Sequence, residues 1–88
     1  MPFSKKELER FVEAIEKASK DLRAQIGYLK IKEIRVGKSE VRAFCELDSK
    51  EGIRRILIKY DGSKVWVEGP KGISMPLKNR IKRYLSKA

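Results

Sequence analysis

The apolar residues of this chain change period once, at Gly27, and that change constrains the fold more than any other feature. Before it, Leu8, Phe11, Val12, Ile15, Ala18, Leu22 and Ile26 recur at spacings of three and four. That pattern is one apolar stripe on a helix of about six turns. Ser4-Lys5-Lys6-Glu7 reads as a capping box: the Ser4 hydroxyl takes the Glu7 backbone N–H, and the Glu7 carboxylate reaches back. Phe3 and Leu8 occupy the two hydrophobic-staple positions, and Gly27 is the expected stop.

From Tyr28 the period is two. Tyr28–Val36 reads as a first strand whose apolar phase slips between Ile31 and Ile34, which predicts a bulge near Lys32-Glu33. Gly37-Lys38 turns the chain. Val41, Ala43, Cys45 and Leu47 alternate with Arg42, Phe44, Glu46 and Asp48 in a second strand. After a loop over 48–52, Ile53–Tyr60 makes a third strand, and Asp61-Gly62 signals a two-residue hairpin. Val65 and Val67 face inward on a fourth strand, with Lys64, Trp66 and Glu68 outward. Gly69-Pro70-Lys71-Gly72 reads as a turn. Ser74 is then the expected N-cap of a last helix, Pro76 suits its first turn, and Leu77, Ile81, Tyr84 and Leu85 form its stripe. The expected fold is α+β, ordered α-β-β-β-β-α: a four-stranded antiparallel meander packed against an N-terminal and a C-terminal helix.

At 88 residues the chain is one domain, 1–88, with a thin core, so an enclosed small-molecule pocket is not expected. The absence of histidine removes Ser-His-Asp and Cys-His catalysis and the commonest zinc sets. Cys45 alternates with core positions and has no base near it in sequence, so it reads as a buried residue rather than a nucleophile. The acids are interleaved with bases or lie in turns. No catalytic residue, metal or cofactor is expected, and the chain reads as a non-enzyme. No apolar run approaches the roughly 20 residues of a membrane helix. After Met1 the chain enters a charged, capped helix, so no signal peptide is expected. A single cysteine fits a reducing, cytoplasmic setting.

The charge is informative. Twenty-two Lys and Arg oppose twelve Asp and Glu, a formal net charge of +10. Residues 1–27 carry a net of +1, 28–68 a net of +3, and 69–88 six bases and no acid. A one-signed segment gains from a nearby anion. On the sheet, if the alternating apolar residues face the helices, the other face presents Arg42, Phe44 and Glu46, Arg55, Leu57 and Lys59, and Lys64, Trp66 and Glu68, with Lys30 and Lys32 from the first strand. A merely solvated face is nearly all polar. Flat rings among bases instead suit single-stranded DNA or RNA, whose bases stack while its phosphates meet cations. Phe44 and Trp66 are the expected stacking platforms, and Lys71, Lys78, Lys82 and Arg83 an expected phosphate-tracking rim. The alternative is a protein-interaction or assembly module, a homodimer or ribonucleoprotein component, with the apolar sheet residues as its interface. The high Lys, Arg, Glu and Ile content is also of a thermophile kind.

Lys71-Gly72-Ile73-Ser74-Met75-Pro76-Leu77, after a run of strands and opening the last helix, resembles the positive cofactor four family of single-strand DNA-binding proteins. That family has a similar segment between its four-stranded sheet and its C-terminal helix. The resemblance covers residues 71–77 in letters and about 28–86 in element order. It implies a dimer with a basic sheet and puts Lys71 at a strand end near DNA. The long N-terminal helix departs from that pattern. The helix-sheet-helix order is also similar to double-stranded-RNA-binding domains and to small archaeal ribosome-associated proteins. The former, however, have three strands and a lysine-rich opening to their second helix, where this chain has Ser74-Met75-Pro76.

Overall fold

A computed structural model describes residues 3–86; Lys87, counted in the basic tail, lies outside them. The element order is α1 (Lys5–Ile26), β1 (Tyr28–Val36), β2 (Val41–Ser49), β3 (Gly52–Tyr60), β4 (Val65–Glu68) and α2 (Lys71–Ser86). The sheet is an antiparallel meander, β1-β2-β3-β4.

The expected capping box forms. The Glu7 N–H donates to Ser4 Oγ at 3.1 Å, and the Ser4 N–H donates to the Glu7 carboxylate at 3.2 Å. Phe11, Ile15, Ala18, Leu22 and Ile26 bury the α1 stripe. Phe11 stacks on Tyr60 at 5.2 Å between centroids, and Phe3 tilts against the same ring at 6.3 Å. Val41, Ala43, Cys45, Leu47, Ile56, Ile58 and Val65 from the strands, with Leu77 and Ile81 from α2, complete one core. Both helices therefore cover the same face of the sheet.

The helices also grip each other. Arg10 donates to the Leu85 carbonyl at 3.1 Å, Arg80 lies 3.6 Å from the Asp21 carboxylate, and the Tyr84 hydroxyl donates to Asp21. That last bond favours the protonated phenol and raises the Tyr84 pKa.

Three local expectations shift. The last helix begins at Lys71, a turn before Ser74. The Pro70 carbonyl takes the N–H groups of Ile73 and Ser74, at 2.9 and 2.8 Å. The early start adds Ile73 to the apolar stripe against the core. Pro76 thus lies inside α2 and removes the bond that would reach the Gly72 carbonyl. The loop expected over 48–52 shrinks, because β2 and β3 run on to pair Ser49 with Gly52. The β3–β4 turn centres on Gly62-Ser63, one residue later than Asp61-Gly62. The Asp61 N–H reaches the Lys64 carbonyl at 3.2 Å, and Gly62 has φ +95°. The Asp61 carboxylate accepts the N–H groups of Lys64 and Ser63, at 2.6 and 2.8 Å, which lowers its pKa.

Candidate nucleic-acid interface

With both helices on one side, no described residue covers the other face of the sheet. Strand alternation sets its membership and pairing sets its rows. One row reads Arg35, Arg42, Lys59 and Trp66, one residue from each strand in direct register. The next reads Glu33, Phe44, Leu57 and Glu68. A third reads Lys30, Glu46 and Arg55, and an end row Tyr28, Asp48 and Ile53. The expected residues Lys30, Lys32, Arg42, Phe44, Arg55, Lys59 and Trp66 are thus brought together. Lys64 stands in the turn before β4.

The bulge falls where the slipped phase placed it, with the register shift between Ile31 and Glu33. Its consequence was missed by the sequence reading. It rotates the second half of β1 by one position, so Glu33 and Arg35 join the open face. Tyr28 and Ile53 were also missed, although counting back by twos from Lys30 and Leu57 finds them. They are 54% and 70% exposed.

The electrostatics are more balanced than expected. The strands put six bases (Lys30, Lys32, Arg35, Arg42, Arg55, Lys59) and four acids (Glu33, Glu46, Asp48, Glu68) on this face, a difference of +2. Several are paired: Arg35 with Glu33 at 2.6 Å, Lys59 with Glu68 at 2.8 Å, Lys32 with Glu46 at 3.9 Å, and Arg42 with Glu40. Each pair has at least one partner about half exposed or more, so each is worth little. Lys30, Arg55 and Lys64 have no ion pair among the described residues.

The two rings differ. Trp66 is 40% exposed. Phe44 is half-buried, with the Arg35 guanidinium 5.4 Å from its ring centre. It lines a shallow depression of about 570 Å³ with Leu57, Arg55 and Lys32. Trp66 is the more open ring, whereas the Phe44 face is partly occupied by Arg35.

The rim residues on α2 need a correction, because α2 lies on the opposite layer from the open face. At about 100° per residue, Lys71, Lys78 and Lys82 share one stripe, roughly 160° or more from Arg80. Arg80 points at Asp21 of α1, so the lysine stripe runs along the other flank, beside β4. Arg83 falls outside the stripe, and Lys71 starts the helix rather than ending a strand. β4 is a sheet edge of only four residues, with Trp66 on its open side and the lysine stripe in the helix layer on its other side.

Cys45 is buried in the core, and burial alone pushes its pKa up to about 12. Among the described residues no three metal-ligating side chains cluster, and no helix is long and apolar enough to cross a membrane. Compared with known proteins, the chain matches no family model, no curated protein and no solved structure.

Proposed function

We propose that this protein binds single-stranded nucleic acid on the uncovered sheet face, by phosphate contact and base stacking rather than by catalysis. The observation that carries the reading is the row Arg35-Arg42-Lys59-Trp66. Strands lie about 4.8 Å apart, so three cationic side chains start within roughly 10 Å of one another. Like charges directly opposite each other destabilise a sheet. An anionic ligand turns that cost into affinity, and an indole at the end of the row gives a base somewhere to stack. From Trp66 the strand would pass over β4 to Lys71, Lys78 and Lys82, in a segment that carries no acid. The resemblance of residues 71–77 to the positive cofactor four segment points to the same ligand class. A buried, unpaired cysteine suits a reducing, cytoplasmic setting for this activity.

Titrating Trp66 fluorescence with a single-stranded oligonucleotide tests the reading. Quenching is expected, with log affinity falling by roughly 0.7 per log salt for each phosphate neutralised, so a slope near −2 or steeper for the basic row alone. An unquenched Trp66, or affinity flat in salt, rejects it. A second reading, a protein interface on the same face, is favoured by the four acids there. In that case Phe44→Ala and Trp66→Ala disrupt a protein complex and leave oligonucleotide affinity intact.

A further inference from the structure

The β1 edge carries its own signature, independent of the proposed nucleic-acid reading. β1 is nine residues long and, among the described residues, pairs only with β2, so its outer edge has no partner among them. Long free edges invite pairing with another chain. Its sequence from Leu29 to Val36 is apolar-basic-apolar-charged, then charged-apolar-basic-apolar. The pattern reads the same in both directions about the Lys32/Glu33 boundary, which is also where the bulge switches faces. A two-fold interface requires such self-complementarity. With two copies antiparallel and bulge against bulge, Leu29 faces Val36, Ile31 faces Ile34, and Lys32 faces Glu33, each twice. A register shifted by one residue would put core-side residues against solvent-side ones. Lys30 opposite Arg35 is the one like-charged pairing.

The helix layer repeats the logic. A groove of about 540 Å³ separates α1 from β1, lined by Glu13, Glu16, Lys20, Arg23, Leu29 and Ile31. On this flank, from Glu13 to Arg23, the acids Glu13 and Glu16 come first and the bases Lys17, Lys20 and Arg23 follow, with Glu13 and Lys17 paired at 2.8 Å. The same two-fold sets α1 antiparallel to its copy, acidic half against basic half. Val36, on the core side of the sheet yet 46% exposed, is covered in the pair. β1 spans about 30 Å, so a sheet layer plus a helix layer buries on the order of 600 Å² per copy, at the low end for a stable interface.

We propose that two copies of this chain join antiparallel along β1, giving one eight-stranded sheet with all four helices on one side. Sedimentation equilibrium of the full chain tests it. At about 100 µM the mass should approach twice 10.2 kDa. Glu13→Lys with Glu16→Lys should weaken association about tenfold or more, and adding Lys20→Glu and Arg23→Glu to the same chain should restore it. These four residues are exposed, and circular dichroism checks that each variant stays folded. Val36→Asp should also give monomers. A mass of one chain at millimolar concentration overturns the proposal. So does a dimer indifferent to these changes, or one lost on Trp66→Ala instead. Oligonucleotide binding by a monomer would sink this inference and leave the proposed function standing.

Discussion

Gly27→Ala should cost this protein about 3 kcal/mol or more, while Gly52→Ala costs about 1 kcal/mol. The two glycines share the same φ of +114°, a region in which a β-carbon is strained. They differ in what that carbon would meet. At Gly27 it would lie 2.4 Å from the Asp48 carbonyl oxygen and 3.0 Å from Ser49 Cα, both backbone atoms. At Gly52 nothing lies within 4 Å. Gly27 ends α1, with its N–H on the Arg23 carbonyl at 3.0 Å, and its successor Tyr28 pairs with Asp48. Relief of the clash would have to pull the helix off the end of the sheet. For a domain of this size the extra cost corresponds to a melting temperature lower by roughly 10 °C or more than that of Gly52→Ala. Equal melting temperatures for the two variants would show that the close approach of α1 to β2 is not as described.

The second large effect concerns the basic row. Arg42→Gln with Lys59→Gln removes two cations from the Arg35-Arg42-Lys59-Trp66 line. Each phosphate contact contributes about 0.7 log units at 0.1 M salt. Oligonucleotide affinity should therefore fall roughly 25-fold there, and the salt slope should flatten by about 1.4. Stability should stay within about 0.5 kcal/mol or rise, because the pairs with Glu40 and Glu68, each open to solvent on one side, contribute little and the row's own repulsion is relieved. A double variant that keeps its affinity, or loses it only in step with its melting temperature, contradicts this account.

Local chemistry made much of the fold legible in the sequence. The capping box, the Gly27 stop and the alternation of β2 depend on neighbours a few residues apart, and each forms. The start of α2 was obscured because Ser74 and Pro76 mimic a helix opening. Packing of the half-buried Ile73 against the core, a tertiary effect, favours starting the helix at Lys71. The candidate site was half legible. Alternation found Arg42, Phe44, Arg55, Lys59 and Trp66, but cross-strand register decides which of them share a row. The bulge position showed in the spacing of Ile31 and Ile34, yet its effect on Glu33 and Arg35 appeared only once β1 was laid against β2. Placing the α2 lysines required knowing that Arg80 turns toward Asp21.

The central claim is that the uncovered sheet face is where an anionic strand lies. Backbone amide shifts recorded while a short single-stranded oligonucleotide is added at low salt test it most directly. The largest movements are expected at Arg35, Arg42, Lys59 and Trp66, smaller ones at Lys71, Lys78 and Lys82, and none on the outer surface of α1. Movements confined to α1 and to α2 away from β4, with the four-residue row unmoved, would contradict it.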